Sequence, residues 1–498
     1  MPRSHLAWSQ LAWLLALGAG ALAGAALPPL GLPPLLWLAL ALLWRLADPT
    51  LRPRRLLLLG GCWGLAAVLV SHRWLLWLHP LDWVGVPAPL SLPLCLLLWF
   101  SCALLGGLLV GAWTLLMARL GPQRLATALI GAAGWGLAEV GLARGPLFWI
   151  GLGGSALPAD RPLAGLASLG GAALVAAVQL LLGWALAQAS RQPRRAAPWA
   201  RLLALVLASH LLGQAALATV APDSGRREAV RVLQPAIPTR RKFQLPEQLR
   251  LLQLLAQAQR LAGASPGITL LLPEGALPLG QTLPETTDAE VITGGFRQEG
   301  SSLRSSLLRH GPGQQAPSTW VDKHRLVPLG EWLPLADLWR WGGLSAVGGL
   351  QPAAEASRLL ARPNGAVAVA ICYELADGTA LARASREGAR WLLASANLDP
   401  YPPLLHQQFI ALARLRAIET GRWLVSAANT GPSLVVDAQG QVRQLLPPGP
   451  QLSAVLPVAQ RQQLTAYDRW GETPVLLLLA AGVVARRWPP SHLLRPPG

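Results

Sequence analysis

The chain has 498 residues, of which 52% are hydrophobic and only 13% charged, and its mean hydropathy is +0.39. That balance excludes an ordinary soluble protein of this length and requires contact with lipid. A formal charge of +18 and a pI near 11.4 also raise nucleic acid as a partner, so the positions of the basic residues have to decide.

Apolar runs suited to crossing a bilayer lie near 8–26, 30–47, 56–71, 90–118, 125–142, 162–189 and 202–220, with a shorter one near 474–485. Pro28, Pro29, Pro33 and Pro34 predict a tight turn between the first two. The first run has the basic start of a cleaved leader, but another span follows directly, so it is read as a span. Basic clusters follow alternate runs: Arg52, Arg54 and Arg55, then Arg119 and Arg124, then Arg191, Arg194, Arg195 and Arg201, and finally Arg486 and Arg487. If every run spans, all of them fall on one side, which the positive-inside rule makes cytoplasmic. Both termini are then expected inside, and the segment between spans seven and eight outside. The basic charge is accounted for without nucleic acid.

Acidic residues mark the same division. The first 220 residues hold only Asp48, Asp82, Glu139 and Asp160, and nearly all the others lie between 221 and 472. The expected organisation is a membrane domain at 1–220 with seven helices, a water-facing domain at 221–472, and a last helix with its tail at 473–498. Within the middle domain short β-rich runs alternate with helical patterns, which argues an α/β fold. Strands are expected at 229–234, 268–273, 290–295, 366–371, 390–396, 423–428 and 433–437, helices at 247–262 and 404–420, and a hairpin turn at Asp437–Gly440.

Cys62, Cys95 and Cys102 lie in apolar runs, which leaves Cys372 alone in the polar domain with no disulfide to form. Only Lys242 and Lys323 are lysines among 42 basic residues. A retained Lys in so Arg-biased a chain suggests a need for a compact, tunable ammonium. One apolar strand runs into Glu274, a second runs into Cys372, and "WVDKHRLVPLGEWLP" delivers Lys323 and Glu331. Strand ends of α/β folds are where sites assemble. A thiol attacks only as thiolate, a carboxylate can take its proton, and an ammonium can stabilise thiolate and oxyanion. Taken singly, Cys372 reads as core packing, Glu274 as a helix cap and Lys323 as a surface charge; together they favour a site. His324 and His406 have no ligand spacing to another His, Cys or acid cluster, so neither a metal nor any other cofactor is expected.

The segments "PEGALP", "KHRLVPLGE", "ICYE" and "SAN" resemble the Glu–Lys–Cys motifs of the nitrilase superfamily, and with the flanking spans the whole chain resembles the apolipoprotein N-acyltransferases. The resemblance implies an αββα sandwich fused to a bundle of eight membrane helices in a bacterial inner membrane, with the sandwich on the periplasmic side. It implies Glu274 as general base, Lys323 as stabilising cation and Cys372 as acylated nucleophile, with Glu331, Tyr373, Glu374, Phe243 and Asn397 as supporting positions. It further implies a ping-pong reaction, in which a phospholipid donates its acyl chain and a diacylated apolipoprotein accepts it. From the residues alone, Glu331 and Glu374 either set the charge around Lys323 or form a structural ion pair, and Tyr373 packs with its hydroxyl hydrogen-bonded. The chain departs from the family at Phe243, where Trp is usual, at Val321 and Arg325, and in "LDPYP" after Asn397. A membrane-tethered amide hydrolase using the same three residues is the alternative reading. A transporter is a third, and it would need more ionisable residues within the spans than Glu139.

Overall fold

The computed structural model describes residues 3–82, 86–220, 226–242, 244–328, 331, 350–354, 356–399 and 401–487. The N-terminal part is helical: α1 (Arg3–Ala26), α2 (Pro33–Leu46), α3 (Pro53–Ser71), α4 (Ala88–Leu120), α5 (Leu125–Arg144), a short α6 (Arg161–Ala164), α7 (Ala167–Arg191) and α8 (Ala196–Ala218). The expected turn lies between α1 and α2, and Pro33 and Pro34 open α2, where a missing N–H costs nothing. Five helices, α3, α4, α5, α7 and α8, are long and apolar enough to cross a membrane. The apolar stretch Gln10–Ala26 of α1, together with α2 and the C-terminal α13 (Thr473–Arg487), is shorter, so the eight expected spans are matched as helices but not all in length. At 33 residues α4 is about 50 Å long, well beyond a hydrocarbon core of about 30 Å.

Glycines let these helices approach closely. A Cβ on Gly64 would lie 2.5 Å from Gly106 O, and one on Gly111 would lie 2.5 Å from Leu57 O, which locks α3 against α4. The seventh helix is broken: Gly170 and Gly171 leave helical geometry, Gly171 at φ +70°, and a Cβ there would meet the Tyr467 ring at 2.5 Å. The break exposes the Ala172 N–H, which donates to Glu419 Oε1 at 2.8 Å.

The described residues between 227 and 459 form two six-stranded sheets. One has the order β12 (Leu452–Ala459), β1 (Arg227–Gln234), β2 (Ile268–Leu271), β3 (Glu290–Glu299), β4 (Ser302–His310), β5 (Thr319–Asp322). The other has β11 (Val442–Leu446), β10 (Ser433–Val436), β9 (Leu424–Ala428), β8 (Trp391–Ala396), β7 (Val367–Ile371), β6 (Leu359–Leu360). The central strands β2, β7, β8 and β9 are buried along their whole length, which is why they read as continuous apolar runs. Outside the first sheet, α9 (Leu245–Gly263) buries Leu251, Leu255, Ala258 and Ala262 against Ile268 and Leu270. The second sheet carries α10 (Gly378–Arg386), packed on β7, and α11 (Pro403–Thr420), packed on β9; α12 (Ala466–Trp470) leads to α13. Helix, sheet, sheet, helix is the expected αββα sandwich.

The sandwich meets the bundle through specific contacts. Gln408 Nε2 donates to Ser71 O at 3.0 Å, Gln439 Nε2 to Leu217 O at 3.1 Å and Arg240 Nη2 to His79 O at 3.2 Å. Apolar residues of both parts, among them Trp74, Phe148, Tyr373 and Phe409, belong to one continuous core.

Candidate active site

Cys372 is the first residue after β7 and opens a 3₁₀ turn, Cys372–Ala376, that leans on the bundle. Its backbone sits at φ +53°, a conformation costing a non-glycine residue on the order of 1–3 kcal/mol, so neighbours must hold it. Glu374 does this. It accepts the Ile371 N–H at 2.9 Å and the His324 N–H at 2.8 Å, and pairs with Arg358, which also donates to Asp322 O at 2.7 Å. One carboxylate thus ties the Cys372 turn to the end of β5. Burial opposes its charge, yet Arg358, His324 and the Ile371 N–H hold it at about pKa 2. Glu374 therefore acts on Arg358 and the turn and makes no hydrogen bond to Lys323.

Lys323 follows β5, with its side chain fully buried. Its Nζ donates to Glu274 Oε1 at 2.6 Å and to Glu331 Oε2 at 2.7 Å. Burial disfavours this ammonium, but Glu274, Glu331 and Cys372 outweigh it and keep the group charged well above the usual lysine range. Glu331 is the converse: burial, reinforced by Glu274, lifts its carboxyl against the pull of Lys323, and its Oε2 also accepts the Val327 N–H at 2.9 Å.

Glu274 follows β2 on a loop pressed against β3. A Cβ on Gly294 would lie 2.4 Å from Glu274 Cα, so only glycine fits behind the carboxylate. Its Oε2 accepts the Asn397 N–H at 3.1 Å, and the same carboxylate faces the Cys372 thiol. Burial and Glu274 push that thiol well up, against the opposing Lys323. Asn397 itself is clamped: Nδ2 donates to Thr239 Oγ1 at 2.8 Å, and Oδ1 accepts from Asn429 Nδ2 at 2.7 Å.

Sequence reasoning passed over Thr239, Asn429, Asp399, Arg358 and Tyr401. Asp399 and Tyr401 lie within "LDPYP", Thr239 and Asn429 follow the ends of β1 and β9, and Arg358 directly precedes β6. Tyr373 OH lies 3.1 Å from Tyr401 OH, and their rings join Phe148 and Trp74 in a wall with centroid spacings of 5.2–6.5 Å. Behind this wall a narrow apolar gap reaches His72 and Trp74. His72 also borders a larger apolar cavity of about 160 Å³ within the bundle, between α1, α3, α4 and α5. Val321 is buried in β5, and Arg325 donates to Gly145 O on the bundle. Phe243 lies outside the described residues. Glu139, the ionisable residue of the fifth span, is occupied by the Leu152 N–H at 2.9 Å and Trp135 Nε1 at 2.9 Å, a structural role.

Known proteins align with this chain along most of its length. The family model described as "Apolipoprotein N-acyltransferase N-terminal domain" matches residues 19–185. An apolipoprotein N-acyltransferase of Prochlorococcus marinus (strain MIT 9313) is 47% identical over 466 residues, 90% of this chain and 91% of its own. One of Parasynechococcus marenigrum (strain WH8102) is 49% identical over 438 residues, 86% and 91% respectively. Among solved structures, Saccharomyces cerevisiae Nit3, a member of branch 10 of the nitrilase superfamily, aligns at 16% identity and a TM-score of 0.36, covering 48% of this chain and 92% of that one. The fold assignment here rests on the strand order of the two sheets. With nearly half its residues shared across nine-tenths of both chains, this multi-pass membrane acyltransferase belongs to the apolipoprotein N-acyltransferase family.

Proposed function

We propose that the protein transfers an acyl chain from a phospholipid to the α-amino group of the diacylglyceryl-cysteine that begins an apolipoprotein, through a thioester on Cys372. The observation that carries this reading is the buried Lys323 ammonium at 2.6 Å from the Glu274 carboxylate, with the buried Cys372 thiol set between β7 and the bundle and facing both charges. Glu274 takes the thiol proton as sulfur attacks the ester carbonyl, and the Lys323 ammonium faces the developing oxyanion. Collapse breaks the ester C–O bond, and Glu274 returns the proton to the departing lysophospholipid alkoxide. In the second half the neutral amine attacks the thioester, Glu274 receives its proton, and the thiolate leaves to be reprotonated. Glu331 holds Lys323, while Glu374, Asn397 and Tyr373 position the thiol, the base and the aromatic wall.

Access from lipid supports the same reading. The aromatic wall and the apolar cavity beyond His72 are surfaces of the kind an acyl chain packs on, and excluding water would protect a thioester from hydrolysis. Both substrates are anchored by lipid chains, so a site against the bundle meets them without leaving the membrane surface. We place the sandwich, residues 221–472, on the periplasmic side and the helical parts, 1–220 and 473–498, in the inner membrane with both termini cytoplasmic; the alternating arginine clusters support this. The test is mass spectrometry of purified protein given phospholipid. Wild type should gain one fatty acyl mass and Cys372→Ala none, and a diacylated lipopeptide should then remove it. Release of free fatty acid with no transfer to the lipopeptide would overturn the reading in favour of a hydrolase.

A further inference from the structure

The apolar cavity within the bundle has the outline of a slot. Its wall runs from Trp63 to Ser71 on α3 and from Gly134 to Leu142 on α5, about 12 Å along each helix axis. The upper end lies towards the sandwich, where Ser71 O accepts from Gln408 of α11, and is roofed by His72 and Trp149, whose rings are 5.0 Å apart. The lower end is closed by Trp63, Trp113 and Trp135, packed edge to face at centroid spacings of 5.5 and 6.2 Å. The polar groups of this floor are engaged with the protein itself. Trp63 Nε1 donates to Ala39 O at 3.3 Å, Trp113 Nε1 to Gly131 O at 3.0 Å and Trp135 Nε1 to Glu139 Oε1 at 2.9 Å, and the Leu152 N–H is shared by both Glu139 oxygens. At the roof, His72 lies between Ser71 Oγ at 2.8 Å and Phe148 O at 3.2 Å, and Trp149 Nε1 has no partner among the described residues. An apolar cavity of about 160 Å³ stays dry and takes up hydrocarbon, about six carbons by comparison with one that holds a benzene ring.

We infer that this slot measures the acyl chain being transferred: the chain on Cys372 runs past Phe148 and His72, and its distal carbons fill the slot down to the tryptophan floor. His72 makes the connection, because it also lines the narrow gap that Tyr373, the neighbour of Cys372, borders from the sandwich. Leu109 of α4 and Gly134 and Ala138 of α5 line the slot and are exposed on the outer surface of the bundle, so a chain enters sideways from the bilayer. The floor is a stop, since moving the three indoles breaks three hydrogen bonds. The acceptor's own chains are the rival occupant. The transferred chain, however, starts at the Cys372 sulfur, whereas the acceptor's chains hang from its cysteine side chain, several bonds from the attacking nitrogen.

The inference rests on the proposed thioester at Cys372, and the experiment separates the two. Full-length protein in detergent micelles is offered an equimolar mixture of phospholipids that share one head group and carry saturated chains of 10, 12, 14, 16 or 18 carbons. The acyl masses gained are read by mass spectrometry for wild type, Gly134→Leu, Ala138→Leu and Gly18→Leu. A Cβ on Gly134 would meet nothing within 4 Å, so the leucine is accommodated at the lower end of the slot; Gly18 has the same room but lies outside it. Each methylene held in the slot changes loading about fourfold, so a leucine that displaces two should lower the ratio of 16- to 12-carbon loading by roughly tenfold or more and move the optimum to a shorter chain. Gly18→Leu should keep the wild-type ratio. Wild-type loading that ignores chain length would overturn the inference, as would both slot variants with unchanged ratios or with loading slowed equally at every length. An unchanged loading ratio with an altered preference among diacylated lipopeptides of different chain length would give the slot to the acceptor and overturn it too. If wild type gains no acyl mass from any donor, the thioester reading itself fails and the inference falls with it.

Discussion

Replacing Glu374 by glutamine keeps the shape of the side chain but leaves it one acceptor oxygen where the carboxylate had two, so either the Ile371 or the His324 N–H loses its partner, and the charge facing Arg358 is removed. A fall in carboxyl pKa from the usual 4.5 to about 2 corresponds to about 3 kcal/mol of folded-state stability for this almost fully buried group. Because the folded pKa is the lower one, that stability is complete above about pH 5 and is lost as pH falls from 4.5 towards 2. Glu374→Gln should therefore unfold roughly 6–12 °C below wild type at pH 7, for a sandwich of this size, and the gap should close on acidification. Tryptophan fluorescence melts in detergent between pH 3 and 8 measure it. Cys372 acylation should slow in parallel, since the turn at φ +53° loses a tie. Equal melting at pH 7, or a gap constant down to pH 3, would refute the assignment of Glu374 as the charged clamp of the nucleophile turn.

Two further outcomes concern the chemistry. Gly294→Ala places a methyl against Glu274 Cα and should slow acylation on the order of a hundredfold while the protein still folds, because a shift of about 1 Å in a reacting group costs that much; near-normal rates by mass spectrometry would show that the loop behind the base is not rigid. Lys323→Arg retains charge but cannot reach Glu274 at 2.6 Å and Glu331 at 2.7 Å from one fully buried point, and acylation should fall by roughly a hundred- to a thousandfold. Wild-type acylation by that variant would mean that the ammonium only balances charge.

The sandwich was legible where its strands are buried on both faces. The runs at 268–273, 366–371, 390–396 and 423–428 have no competing interpretation, and each leads into a site residue. Strands β4, β5, β6, β11 and β12 were missed because their residues do not form such runs. β4 is "SLRSSLLRH", whose polar side chains are satisfied in place, Ser306 by Asp322 and Arg309 by Glu290. β12 contains Pro457 and survives only because it is an edge strand. The short α10 was passed over although it is amphipathic, with Leu381, Ala382 and Ser385 on its buried face, because small and polar residues make up most of that face. In the site, Glu274, Lys323 and Cys372 stood out by scarcity and by strand ends. Arg358 did not, since one arginine among forty carries no mark, and its importance comes from partners distant in sequence. The division of labour between the carboxylates was equally hidden: Glu331 and Glu374 look alike in the chain, yet one faces Lys323 and the other Arg358.

The broken seventh helix bears on how the molecule is assembled. The Ala172 N–H exposed at the break lies within the first 220 residues, whereas its acceptor, Glu419, is synthesised 247 residues later. The capping of this break therefore depends on the docked sandwich, as does the aromatic wall, in which Trp74 and Phe148 of the bundle pack against Tyr373 and Tyr401. A sandwich detached from the bundle would be a fragment without its floor.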